Sequence, residues 1–164
     1  MGKDNGGGNK NHDPKTGRFI RKAGIEDLKD ERLQQGEAGS LFTTIKSAIE
    51  KDDPNSPVYA MSDGSNTALL HSISDSSVEH LISTGGGLGS ELLAQFIEQS
   101  KSKGINFQAT PSSKSYYEYL GLDSVNAYHN KNKLYEDLRM YLINSSDFKT
   151  AANLIRTRSG RKPL

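Results

Sequence analysis

The stretch "HLISTGGGLGSELLAQF", His80 to Phe96, decides how this chain is read. A short alternating segment runs into Gly85, Gly86 and Gly87, then Gly89, and straight into an apolar run. A strand that ends in glycines and opens a helix is a physical anion site. The first amides of a helix have no intrahelical acceptor, and the helix dipole favours negative charge beside them. Glycine also lets main chain approach a phosphate with no Cβ in between. Gly85, Gly86, Gly87 and Gly89 supply that surface, and Ser90 adds a hydroxyl. The same residues would equally make a plain strand-to-helix turn, so the neighbouring segments have to discriminate.

Two common phosphate loops do not fit. A Walker A loop needs a lysine after its glycines, and none follows here. "GGGLGSEL" does not match G-x-G-x-x-G, and the segments before it read as hairpins, not as a βαβ crossover.

Upstream of the glycines, "VYAMS" (58–62), "TALLHSIS" (67–74) and "SVEHLIS" (77–83) read as three strands. "DGSN" and "DS" between them are turn signals, so the three form an antiparallel meander. Period-two alternation puts Val78, His80 and Ile82 on one face of the third strand and Glu79, Leu81 and Ser83 on the other. Downstream, "SELLAQFIEQSKSK" is a helix with Leu92, Leu93, Phe96 and Ile97 as its buried stripe and Gly104 as its end. "INFQAT" (105–110) is a further strand, and "SSKSYYEYLGL" (112–122) a short helix.

Nearer the start, "RFIRKA" (18–23) is a first strand. "IEDLKDERLQQG" (25–36) is a short helix with Ile25, Leu28 and Leu33 inward and Gly36 as its stop. A second helix runs from Ser40, its N-cap, to Lys51, with Leu41, Phe42, Ile45, Ala48 and Ile49 on one face. Toward the end, Leu134, Tyr135, Leu138, Tyr141 and Leu142 share a helical face, and "FKTAANLIRT" (148–157) makes another helix. Strands and helices mix around one sheet, which is an α/β or α+β layer fold.

With 164 residues, 33% of them hydrophobic, the chain can build one modest core. A mean hydropathy of -0.69 and the lack of any long apolar run exclude a membrane helix. There is no cysteine, which excludes disulfides and thiolate metal sites, and no His/Asp/Glu group has metal-ligand spacing. The glycine- and asparagine-rich start has no apolar core of a secretory signal, so a cytoplasmic protein is expected. The formal charge of +1 hides an asymmetry: residues 1–24 sum to +4, residues 148–164 to +5, and the body between them to -8. Residues 1–17 have almost no apolar side chains and are expected to be a disordered basic tail, with a second basic tail at 158–164. Basic ends suit weak contact with nucleic acid phosphates, or simple solvation. The acidic body suits a cationic substrate such as an amine.

One family fits the order of these features. Thr84-Gly85-Gly86-Gly87-Leu88-Gly89, followed by Ser90 and the Leu92-Leu93 pair, resembles the Q/R-x-x-G-x-G/A signature of the GCN5-related N-acetyltransferases. "FIRKAGIEDL" (19–28) is similar to that family's first strand and helix start, and "YYEYLGL" (116–122) to its late "FYEKLGF" motif. The resemblance covers about residues 18–123 and leaves 124–157 as a helical extension of this chain's own. It implies a mixed, mostly antiparallel central sheet flanked by helices, and acetyl transfer from acetyl-coenzyme A to an amine, on a small molecule or a protein. It implies that Gly85, Gly86, Gly87, Leu88, Gly89 and Ser90 hold the pyrophosphate. Leu81, Ile82, Ser83 and Thr84, on a splayed fourth strand, would lie along the pantetheine arm. Tyr117 would protonate the leaving thiolate. Glu79, on the same strand just before the loop, is the candidate base for the ammonium proton, with His71 a more remote one. His80 should face away.

The chain departs from the family in three ways. Thr84 stands where the family has Arg or Gln, the linker from strand to loop is short, and "DSVNAYHNKNKLYEDL" shows little of the usual final strand pair. These departures favour a second reading, a non-catalytic member of the fold acting in host interaction or in a virion. The segment "NHDPKTGRF" (11–19) is similar to the start of bacteriophage head-associated proteins, which implies virion association. A third reading is a nucleic-acid-associated protein working through its basic ends. Aromatic residues are not interleaved with those charges, so base stacking is not indicated.

Overall fold

Six strands form one sheet in the computed structural model, which describes residues 19–111, 113–131 and 139–159. They are β1 (Arg21–Lys22), β2 (Val58–Ser62), β3 (Thr67–Ile73), β4 (Ser77–Ser83), β5 (Gly104–Gln108) and β6 (Met140–Asn144), and their spatial order is their chain order. Every neighbouring pair is antiparallel except β4 with β5. Among the described residues there are also five α-helices, α1 (Gly36–Lys51), α2 (Leu88–Gln99), α3 (Lys114–Tyr119), α4 (Ala127–Lys131) and α5 (Phe148–Arg158), and short 3-10 turns. The fold is thus mixed α and β, with a mostly antiparallel sheet flanked by helices, as expected.

The meander is built by alternation and by its turns. Residues facing one way along β2 and β3, Val58, Ala60 and Leu69, join Ile45 of α1 and Leu28 and Leu33 in one buried cluster. Those facing the other way, Met61, Ala68 and Leu70, pack with Leu92, Leu93 and Ile97 of α2 and Ile155 of α5. The β2–β3 turn closes because the Asp63 carboxylate accepts from the Ser65 and Asn66 N–H groups and Gly64 takes a φ of +88°.

On the second face α2 and α5 are locked together by a buried ion cluster. Arg156, only 1% exposed, donates to Glu98 at 2.6 Å and to Glu91 at 3.1 Å. Glu91 also accepts from the Gln95 side chain, whose oxygen receives the Ile20 N–H. The hydrogen bonds to Glu98, and then those to Glu91, more than offset burial and raise the Arg156 pKa above its usual value.

Several expectations need correcting. The segment 25–36 is not one helix but two 3-10 turns, Ile25–Leu28 and Glu31–Gln34, and Ile25 is 52% exposed instead of inward. Local side-chain bonds win there: Asp27 accepts from the Gly24 N–H and Asp30 from the Arg32 N–H, each closing its own turn. Gly36 opens α1 instead of stopping a helix, and Ser40 lies inside α1, not at its cap. Gly104 begins β5 and does not end α2.

The reading of 124–157 as purely helical also fails. Met140–Asn144 is a strand that pairs antiparallel with β5 from Gly104↔Asn144 to Gln108↔Met140. Tyr141 and Ile143 point into the core while Met140, Leu142 and Asn144 are only partly covered, a period of two and not of 3.6. A late strand is therefore present where the sequence reading placed only helix. The segment 1–17, the face at Leu134, Tyr135 and Leu138, and residues 160–164 lie outside the described residues.

Candidate functional site

The site begins where two strands part. β4 and β5 run parallel, and Ser77↔Asn106 is their one ladder pair among the described residues. That junction is well tied: the Asn106 N–H and its side-chain amide both donate to the Ser76 carbonyl, at 2.8 Å and 3.2 Å, and the Ser77 hydroxyl lies 3.2 Å from the Asn106 side-chain oxygen. Beyond it, toward Ser83 and Gln108, the strands diverge, and a cleft opens at their carboxyl ends, where open α/β sheets place ligands.

A bulge shapes the same strand on its other edge. His71 pairs with His80, but Ser72 pairs with Val78, so Glu79 has no opposite residue. The extra residue reverses which face each side chain takes. Val78 joins the α2 cluster, whereas Ile82 joins the α1 cluster. The expected grouping of Val78 with His80 and Ile82 is therefore wrong, and the bulge is the reason.

Leu81, Ile82 and Ser83 line cavities on both sides of the sheet. On the α2 side a space of about 240 Å³ is bounded by Gly87, Gly89, Ser90 and Tyr116. On the α1 side a space of about 310 Å³ is bounded by Leu41, Glu79, His80, Gln108, Thr110, Ser113 and Tyr117. Both spaces abut the same stretch of β4, one at the α2 end and one at the α1 end of the opening beside β5.

The glycine loop sits at the α2 end. Gly85, Gly86 and Gly87 all have positive φ, at 129°, 70° and 70°. A Cβ at Gly86 would lie 2.7 Å from the Asn66 amide nitrogen, and one at Gly89 would lie 3.2 Å from Ser83 Cβ. The conformation is therefore specific to glycine at Gly86. In the first turn of α2, Leu88 donates to the Gly85 carbonyl and Glu91 to the Gly87 carbonyl. Gly89 and Ser90 lie between them in that first turn, the place where helices leave amides without intrahelical acceptors as a rule. Thr84 faces elsewhere: its hydroxyl donates to Asn66 at 2.9 Å and accepts from the Thr67 N–H, tying the loop to the β2–β3 turn.

Two tyrosines of α3 border the cleft. The Tyr116 hydroxyl lies 2.5 Å from the Ser90 hydroxyl, so Ser90 is engaged by a side chain of the fold. Burial pushes the Tyr116 phenol up, and the Ser90 bond partly counters it. Tyr117 packs its ring on Phe107 and Tyr141 and lines the α1 end of the cleft. Burial, with the neighbouring Tyr116, pushes its pKa far above the ordinary value, so it holds its proton at neutral pH. It donates to no residue among those described.

Glu79 is exposed at the bulge and accepts from the Ser77 hydroxyl at 2.8 Å. His80 lines the same cavity and meets His71 across the strands: their Nδ1 atoms are 3.1 Å apart and their rings stack. The other nitrogen of His71 lies 3.3 Å from the Ser56 hydroxyl. Burial, then the charge of His80, lowers the His71 pKa. The expectation that His80 faces away from the cleft fails, again because of the bulge.

The structure thus brings together Leu81 to Ser83, the glycine loop, Ser90, Tyr117 and Glu79, and turns Thr84 aside. It adds Tyr116 and Asn66, which the sequence reading did not place in the site, and His80, which that reading turned away from it. A third space of about 560 Å³, outside the loop, is bounded by Gly87, Ser90, Tyr116, Tyr119 and Arg158. Among the described residues no group of three or more His, Asp or Glu side chains could hold a metal ion, and no helix is long and apolar enough to cross a membrane. No family model, curated protein or solved structure matches this chain.

Proposed function

We propose that the chain is an N-acyltransferase of the kind its glycine motif resembles, transferring an acetyl group from acetyl-coenzyme A to an amine. The observation that carries this reading is the parting of β4 from β5 after Ser77↔Asn106, directly upstream of the glycine-opened N-terminus of α2. A pantetheine arm is a slender chain with amide groups, and the open edge of a strand offers it main-chain partners. The diphosphate would sit by Gly89 and Ser90, at the start of α2, with Arg158 of α5 bordering the adjoining space.

The thioester supplies an activated acyl group. The protein has to align an amine with it, draw off one proton and return another to the departing sulfur. Tyr117, protonated and facing the cleft, is the donor to sulfur. The base comes from the α1 end, where Glu79 and His80 lie. Calorimetry with acetyl-coenzyme A tests the reading, using wild type and Gly86→Val. Binding by wild type and its loss in a folded Gly86→Val supports it. No heat at millimolar ligand removes it.

One observation favours a second reading, a non-catalytic scaffold serving a virion or a host partner. Tyr116 bonds to the Ser90 hydroxyl and walls the α2 end, which suits a closed seat. Retained biological activity in Gly86→Val would select this reading. Contact of the basic ends with nucleic acid remains a third, auxiliary proposal, and its signature is affinity that falls steeply with salt.

A further inference from the structure

We propose that His80 is the catalytic base of this site and that His71 is the positioning residue that gives it the right tautomer; the inference rests on the acyl-transfer reading above. The two imidazoles are cross-strand partners with Nδ1 atoms 3.1 Å apart. A contact of that kind requires one nitrogen to donate and the other to accept. His71 is buried and has both nitrogens engaged, Nδ1 by His80 and Nε2 by Ser56. His80 borders the α1 end of the cleft, and with Nδ1 committed to His71 its Nε2 is the nitrogen left for a substrate.

The arrangement consistent with base catalysis has His80 donating Nδ1–H to His71 Nδ1, while His71 donates Nε2–H to the Ser56 hydroxyl. His80 Nε2 is then bare. When an amine attacks the thioester carbon, its N–H bond breaks and an Nε2–H bond forms on His80. The imidazolium keeps its Nδ1–H on the neutral His71 and later loses the Nε2 proton to solvent. The carbon–sulfur bond breaks, sulfur takes the Tyr117 proton, and solvent returns a proton to the tyrosinate as it takes the one from His80. A neutral partner on Nδ1 fixes the ring as a carboxylate does in a catalytic triad, without adding charge.

Glu79 is the competing assignment. It lies in the same cavity but is solvent-exposed and bonded to Ser77. The titratable groups lining this end are His80, Glu79 and Tyr117, with His71 behind; from α1 the lining residue is Leu41 and from β5 Gln108.

The test uses the full chain with acetyl-coenzyme A and n-butylamine, following free thiol release, together with nitrogen-15 histidine spectra. His80→Gln should lower kcat about 100-fold with acetyl-coenzyme A affinity unchanged. His71→Phe should lower kcat about 10-fold and move the acidic limb of the pH–rate profile. His71→Asn, which keeps an acceptor, should restore most of the loss. The spectra should show neutral His80 as the Nδ1–H tautomer. A wild type that turns over while His80→Gln stays within 3-fold of it, or Glu79→Gln losing more than His80→Gln, overturns this assignment and leaves acyl transfer standing. The opposite His80 tautomer overturns it whatever the turnover. A wild type that binds no acetyl-coenzyme A overturns both.

Discussion

The two edges of β4 behave in opposite ways. Along β3 it is zipped from Ala68↔Ser83 to Ile73↔Ser77, interrupted only by the Glu79 bulge. Along β5 it touches at Ser77↔Asn106 and then lets go. One strand is structural on one side and available on the other. What holds β5 and β6 in place is therefore not the ladder but the layer beneath: α2 from one half of the sheet meets α5 from the other across Arg156, Glu91 and Glu98. A sheet can stay open in its middle if its helices are clamped.

The clamp is where that contrast breaks most easily. Arg156→Leu removes the cation from two carboxylates facing a buried site, and should cost about 3–5 kcal/mol in denaturant unfolding because an uncompensated charge is left behind. A loss below about 1 kcal/mol would mean that the ladder, not the clamp, holds the halves. Gly86→Val comes next. A β-branched residue at φ +70°, with its Cβ against Asn66, should cost about 1–3 kcal/mol and displace the loop. Unchanged thermal stability would show that the loop relaxes freely.

Smaller changes sharpen the comparison. Asn106→Ala deletes the side-chain bonds to Ser77 and Ser76 and should cost about 1 kcal/mol, read as faster hydrogen exchange at Ser77 and Asn106 without loss of the β3–β4 ladder. Tyr116→Phe releases the Ser90 hydroxyl and should tighten acetyl-coenzyme A binding a few-fold by calorimetry; weaker binding would argue that Tyr116 itself touches the ligand. Acidity provides the gentlest probe. The folded His71 pKa lies below its unfolded value near 6.5. The unfolded chain therefore binds the proton more readily, so stability is full above about pH 6.5 and declines as the pH drops toward the folded value. Melting curves between pH 7.5 and 5.5 should show that decline, and His71→Asn should flatten it.

How much was legible follows from the same contrast. The zipped half announced itself, because "VYAMS" and "SVEHLIS" are short segments set between sharp turn signals, and their bounds matched the strands. The glycine run before Leu92 and Leu93 also signalled a helix, although α2 starts at Leu88 and stops at Gln99, short of Gly104. What escaped was set by tertiary partners. The unopposed Glu79 moves Val78 and Ile82 to different faces, and nothing in "SVEHLIS" signals an insertion relative to β3. "MYLIN" carried a period-two signal, with Tyr141 and Ile143 inward, but Tyr141 and Leu142 also extended a helical spacing from Leu134. Asn66 backs the loop from a turn nearly twenty residues upstream, which no local pattern encodes.

The Arg156–Glu91 contact spans 65 positions of the chain, and Arg156–Glu98 spans 58. Loop-closure entropy makes such distant pairings late events in folding. The meander, whose partners lie close in sequence, can assemble first, and docking of α5 onto α2 then joins the two halves of the sheet. In kinetic terms, Arg156 should have a φ-value near zero while Leu69 and Leu70 have high ones. A chain stalled before that last step would own a nearly complete sheet with no cross-brace beneath it.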